Sequence, residues 1–316
     1  MSIILYYTMS FSKKDVEKIY NILKVKQNKG KNVSYIPELA NVDPNIYAIS
    51  ICDTKGNTMN IGDYNKKVAI ESVSKVFTLI LALNTHNIKT LSEKIGSSKE
   101  IHSFNSLHDV LKIKNHTINS FVNAGAVATT SLLYDKNISD KENKKKIDKL
   151  IKKNMEDFCG ENLTLSKKIF TSEMSSNEHN HKIVSKLVEY GRFYGNPETI
   201  LECYTKQCSY MVSSKNIALM AATLANYGVN PITKKELTSK ENAEYTINHM
   251  ARHGMYNESP VWWKETHMPA KSGVGGVIMI VIPGIMGIGI VSPPLNEFGN
   301  SARGVETGIM LANITL

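Results

Sequence analysis

Residues 271–291, KSGVGGVIMIVIPGIMGIGIV, decide the fold. From Gly273 to Val291 the run is apolar enough to pass for a membrane span on hydropathy alone, but Pro283-Gly284 cuts it in the middle. Proline removes a backbone donor and a Pro-Gly pair suits a tight turn, so the run divides into two buried strands. Strand character also marks the other end of the chain. IYAISICD, from Ile46 to Asp53, is rich in β-branched residues, and Asp53-Thr54-Lys55-Gly56-Asn57 is a turn signal before a second short strand ending near Gly62. From Ser72 to about Tyr227 the pattern turns helical, with VFTLILAL, NAGAVATTSLL, KIVSKLVEYG and NIALMAATLANYG. Lys13 to Lys26 places Val16, Ile19, Tyr20 and Leu23 on one helix face ahead of the extended segment SYIPELA, and the tail SARGVETGIMLANI is a closing helix that starts at a serine cap. Strands at both ends with helices between predict an α/β fold, in which one mainly antiparallel sheet is built from both chain ends, with flanking helices and a helical lobe. Repeats and long linkers are missing, so residues 1–316 form a single domain, with an α/β lobe at about 1–75 and 229–316 and a helical lobe at about 76–228.

Bulk properties exclude several function classes. At 316 residues and 42% hydrophobic content the chain can bury an ample core. Cys52, Cys159, Cys203 and Cys208 show no Cys-x-x-Cys pair and no histidines at ligand intervals, which suggests reduced thiols in a cytosolic protein and no metal. The opening MSIILYYTMSFSKK puts its lysines after a short apolar run, the reverse of a secretory signal, so a cytoplasmic protein with no membrane partner is expected. The formal charge of +9 invites a nucleic-acid partner, yet arginine occurs only at Arg192, Arg252 and Arg303, whereas bidentate readout favours arginine. In the densest basic run, NKKKIDKLIKKN from Asn143 to Asn154, Ile147, Leu150 and Ile151 recur at helical spacing. The lysines therefore form a solvated face, and no nucleic acid is expected as a partner.

Chemistry enters at Glu71-Ser72-Val73-Ser74-Lys75, a Ser-x-x-Lys at the start of a helix. Positions three apart share a helix face, so Ser72 Oγ and the Lys75 amine become neighbours, and a desolvated lysine can take the serine proton. Free N–H groups at the helix start suit developing negative charge. Taken alone the segment fits an ordinary serine-capped helix entry better, and Ser74 is a rival serine. The second signal is Lys271-Ser272-Gly273 followed by Val274-Gly275-Gly276. A Lys-Thr/Ser-Gly triplet lines the wall opposite the Ser-x-x-Lys helix in penicilloyl-serine hydrolases, and glycine lets substrate approach the strand backbone. In isolation it reads equally as a closely packed edge strand.

With both motifs in place the chain resembles the serine-dependent glutaminase family, a branch of the β-lactamase/transpeptidase-like fold, from Tyr35 to the C-terminal helix. The family's segments stand in order as YIPELA, SVSK, NAGA, SE followed by HN, YTKQCS, MAATLANYG, GMY, PAKSGVGG and SPPL. The resemblance implies an amidohydrolase that converts L-glutamine and water to L-glutamate and ammonia through an acyl-serine, with no cofactor, as a homo-oligomer (dimer or tetramer). It makes Ser72 the nucleophile, Lys75 its activating partner, and Tyr256 and Tyr204 the active-site tyrosines, without saying which is the main proton carrier. It assigns Tyr35, Asn123, Glu173 and Asn180 to the α-amino and α-carboxylate ends of glutamine, and the Val274 backbone to the reacting carbonyl. An anion such as Glu173 suits the ammonium, and amide and phenol donors suit the carboxylate.

Two positions depart from the family pattern. His179 stands where arginine is usual before Asn180, which loosens the expected support of the pocket. Glu71 stands where glutamine is usual, and a negative charge there would raise the pKa of Lys75. The competing expectations are a β-lactam- or peptide-reactive serine hydrolase of the same fold, which would carry Ser-x-Asn or Tyr-x-Asn between the lysine motifs, and a non-catalytic glutamine-binding paralogue, which would have lost Ser72 or Lys75.

Overall fold

The computed structural model describes residues 10–98, 104–112 and 116–315. Residues 1–9, which carry most of the expectation about an export signal, lie outside them. The strands are β1 (Ala48–Asp53), β2 (Thr58–Gly62), β3 (Val68–Ala69), β4 (Thr164–Leu165), β5 (Tyr210–Val212), β6 (Ala270–Gly273), β7 (Val277–Ile282) and β8 (Met286–Val291). The helices are α1 (Lys13–Val25), α2 (Pro37–Ala40), α3 (Ser74–Thr85), α4 (Ile88–Lys94), α5 (Leu107–Lys112), α6 (Asn123–Ser131), α7 (Asp140–Cys159), α8 (Lys167–Ser175), α9 (Glu178–Glu189), α10 (Pro197–Cys208), α11 (Ser214–Ala225), α12 (Lys240–His253), α13 (Ser259–Thr266) and α14 (Ala302–Thr315).

The main sheet has the order β2-β1-β8-β7-β6, antiparallel throughout. β1 pairs with β8 from Ala48↔Val291 to Asp53↔Met286, so the two chain ends do build one sheet. The apolar run is unbroken because both faces of these strands are buried. Successive side chains point to opposite faces. Ile278, Ile280, Ile288 and Ile290 join Val16, Ile19, Leu23 and Leu311 of α1 and α14 on one face. Each such isoleucine or valine contributes about 1.5–3 kcal/mol relative to exposure. On the other face Val277, Met279 and Val281 meet the helical core. There Gly287 and Gly289 let α11 lie almost on the strand, since a Cβ at Gly287 would fall 2.1 Å from Ala222 N. Ser50 and Ser214 close the contact with a 2.8 Å hydrogen bond. So α11, inside the stretch expected to form the helical lobe, is the helix that covers the sheet.

The expected helices are all present, and the basic run sits in α7, which opens with a Ser139/Glu142 capping box and stops at Gly160 in the left-handed region. Ile147 and Ile151 are buried, but Leu150 is 40% exposed on the lysine face, contrary to its expected place in the apolar stripe. The lysines there meet acids, such as Lys144 on Glu202 and Lys153 on Asp157. All four cysteines are buried and free. No helix among the described residues is long and apolar enough to cross a membrane. A second, three-stranded sheet has the order β3-β5-β4, and β3 leads directly into the segment that carries Ser72.

Candidate active site

After β3 the chain makes a 3-10 turn, Glu71–Val73, and enters α3 at Ser74. Ser72 therefore stands just ahead of the α-helix, with Lys75 in its first turn; both are buried. The rival serine is occupied: Ser74 Oγ donates to Glu71 O at 2.6 Å and so holds the turn. Glu71 has φ 49° and Tyr256, across the site, φ 50°. Left-handed backbone at non-glycine residues costs of order 1–3 kcal/mol and collects at working sites. The turn is pressed against the end of β6, where a Cβ on Gly273 would lie 2.7 Å from Ile70 O and 3.3 Å from Ser72 N. Val274, next in the chain, thereby lines the same cavity as Ser72.

Lys75 Nζ donates to Phe121 O at 3.0 Å and to Asn123 Oδ1 at 2.8 Å. Tyr256 hydrogen-bonds the Ser72 side chain and donates to Ser272 O at 3.4 Å. Burial pushes its phenol well up, so it stays protonated at neutral pH. The Lys271 ammonium lies over its ring at 4.2 Å, so Lys-Ser-Gly supplies the wall behind Tyr256. Tyr204, also pushed up by burial, donates to Asn123 Oδ1 at 3.3 Å and not to Ser72. From Asn123 a chain of side-chain amides continues to Asn180 (3.2 Å), Asn177 (2.7 Å) and Thr205 (3.2 Å). Asn123 begins α6 and Asn177 caps α9, so two helix starts border the cavity and favour an anion there.

The opposite side is acidic. Glu173 accepts from Ser209 Oγ at 3.3 Å and hydrogen-bonds Glu71. Burial pushes Glu173 up to about 7, while the bonds from Glu71 and Ser209 pull it back down. Glu71 is raised well above the carboxylate range, first by burial and then by the Glu173 charge. Of the two acids Glu71 is thus the one that holds its proton more strongly, which weakens the negative charge expected from sequence beside Ser72. Glu71, Glu173 and Cys208 bring ligand-type atoms within 4.8 Å of one another. A proton between the acids and a thiol kept protonated by burial account for that grouping, and no metal role is assigned to it.

Ser72, Glu71, Asn123, Glu173, Asn180, Tyr204, Val274 and Tyr35 border one inner cavity of about 80 Å³. Tyr35 stands at its rim, 58% exposed. Tyr35, Phe104 and Val274 also border an outer cavity of about 510 Å³, together with Tyr256. Two residues escaped the sequence analysis. Asn177 looks like any helix cap, and Phe104, stacked on Tyr256 at 4.5 Å between ring centroids, belongs to no motif. His179 points away from the cavity, with Nε2 2.5 Å from Asn105 O.

A sequence model of the glutaminase family matches residues 30–315. The chain is 37% identical over 296 residues to a glutaminase of Parabacteroides distasonis, covering 94% of this chain and 90% of that one. A solved structure of a probable glutaminase superposes with a TM-score of 0.90 at 35% identity, covering 95% of both chains. Mglu in its glutamate form superposes with a TM-score of 0.89 at 30% identity, over 96% of this chain and 68% of the other.

Proposed function

This chain belongs to the glutaminase family and hydrolyses glutamine, and we propose that it does so through a glutamyl ester on Ser72. The observation that carries the proposal is the hydrogen bond between Tyr256 and Ser72, which lines one cavity with Val274 and with Asn123, the residue that accepts from the buried Lys75 amine. Lys75 Nζ donates to Phe121 O and to Asn123 Oδ1, which hold it in place, and as a neutral amine it takes the Ser72 proton on its lone pair. Ser72 Oγ attacks the side-chain amide carbon, and the N–H groups of Ser72 and Val274 hold the oxyanion. Tyr256, protonated and in contact with Ser72, gives its proton to the departing ammonia and recovers one from Lys75. Tyr256 is thus the main proton carrier, and Tyr204 positions Asn123. Water then attacks the ester by the reverse path, with glutamate and free Ser72 as products.

Recognition of the free amino acid is split between two walls. Glu173 takes the α-ammonium, with Tyr35 at the rim, while the remaining amide N–H donors of Asn123 and Asn180, beside Tyr204 and near two helix starts, take the α-carboxylate. Mglu solved in its glutamate form supports a pocket that holds both charged ends of the product. The homo-oligomer, dimer or tetramer, and a cytoplasmic location belong to the same reading, the latter supported by four buried free thiols. Ammonia and glutamate release from L-glutamine, D-glutamine, L-asparagine and a chromogenic β-lactam tests the whole. Turnover of L-glutamine alone, lost in Ser72→Ala, is expected; β-lactam turnover exceeding it would overturn the substrate assignment.

A further inference from the structure

We propose that Glu71 is a positioning residue for substrate recognition, a neutral carboxylic acid that donates its O–H to the Glu173 carboxylate and so holds that carboxylate charged and oriented for the α-ammonium of glutamine. The two carboxyls come from distant parts of the chain, one on the turn before α3 and one on α8, and they hydrogen-bond each other at the edge of the inner cavity. Glu71 is 3% exposed, and its Oε1 is buried with no hydrogen-bond donor among the described residues. A carboxylate there would face another carboxylate with one oxygen unsatisfied, which is costly in a buried site. One proton removes the repulsion between the acids and leaves Oε1 as a neutral carbonyl oxygen, which is far less costly to bury unpaired than a charge.

The surrounding charges leave that proton on Glu71. Burial and the charge of Glu173 from α8 disfavour a second negative charge, and Lys75 from α3 opposes them only while it is protonated; Cys208 from α10 and Tyr35, Tyr204 and Tyr256, all held neutral, bring no charge of their own. Lys75 already serves Phe121 O and Asn123 Oδ1. Ser209 completes the support of Glu173 from the other side. The turn holds Glu71 in this position at the cost of a left-handed backbone, and Ser74 Oγ on Glu71 O fixes that conformation.

The inference rests on Glu173 as the ammonium partner, so the experiment separates the two. Infrared difference spectra of the wild type minus Glu71→Gln at pH 8 are expected to show a protonated-carboxyl stretch belonging to Glu71; only a carboxylate signal would overturn the proposal. Steady-state kinetics then compare Glu71→Leu, which cannot donate, with Glu71→Gln, whose amide can. Glu71→Leu is expected to raise KM for glutamine at least about tenfold with kcat within about threefold, and Glu71→Gln to recover most of that loss. Equal KM in Glu71→Leu and the wild type, with KM raised in Glu173→Gln, would remove the role of Glu71 alone. An unchanged KM in Glu173→Gln would instead remove the ammonium assignment beneath it.

Discussion

At Ser72 the structure separates two serines that the sequence leaves as rivals. Ser74 is committed to the Glu71 carbonyl, whereas Ser72 meets Tyr256. Ser72→Ala or Lys75→Ala is therefore expected to cut glutamine hydrolysis by at least about a thousandfold, and the double variant to lose little more, because the pair acts as one unit. Ser74→Ala should keep substantial activity; the same ammonia-release assay reads all four proteins, and a dead, folded Ser74→Ala beside an active Ser72→Ala would reverse the assignment. Glu173→Gln should weaken L-glutamine binding by about 2–5 kcal/mol, the range for truncating a buried charge pair, and full wild-type activity on N-acetyl-glutamine would contradict the ammonium role. With Glu173 pushed up to about 7, the ammonium partner is neutral below that pH and charged above it. KM is thus expected to fall as pH rises through about 7 and then level off. The same shift has a defined sign for stability: the folded state binds the proton more tightly than the unfolded chain, so stability present below the ordinary carboxylate range is lost as pH rises through about 7. Glu173→Gln, which mimics the protonated acid, should melt above the wild type at pH 8 and together with it in the ordinary carboxylate range, which differential scanning calorimetry can follow. Ser72 and Lys75 were legible because their relation is local, three residues on one turn. The strengthened hold of Glu71 on its proton was not, since it comes from burial in the folded site and from Glu173, about a hundred residues away.

Among the elements, β1, β2, β7 and β8 were legible because length, β-branching and turn residues coincide, and both faces of β7 and β8 are filled. The strands β3, β4 and β5 were not, for two or three residues carry no period. Yet β3 sets the entry of the Ser72 turn. The placement of α11 on the sheet was hidden for a related reason: a glycine in a strand reports close approach without saying which element approaches. That packing makes its own prediction. A methyl at Gly287 would sit 2.1 Å from Ala222 N and 2.4 Å from Ala221 C, with backbone on both sides of the contact. Gly287→Ala should lose about 1–3 kcal/mol or more, as overpacking does. Urea unfolding measures it, and an unchanged midpoint would mean that α11 does not lie against β8.

For the whole molecule, the sheet from both chain ends fixes β6 and Val274 on one side of the site, and the helical core fixes Ser72, Asn123 and Glu173 on the other. Ser72 and the residues proposed for recognition thus border one inner cavity, which shares Tyr35 and Phe104 with the outer one. Sequence resemblance carried most of this site because its residues occur in short segments in a fixed order. It missed Asn177 and Phe104, which act through position and carry no motif of their own. The central claim is the covalent ester, and the cavity contains a competing nucleophile, Cys208, whose thiol burial holds protonated. A glutamine analogue bearing a side-chain diazoketone separates them when the inactivated protein is digested and the modified peptide mapped. One label per active site on Ser72, slowed by excess L-glutamate and absent from Ser72→Ala, is the expected result; a label on Cys208, with Ser72→Ala inactivated at the wild-type rate, would contradict it.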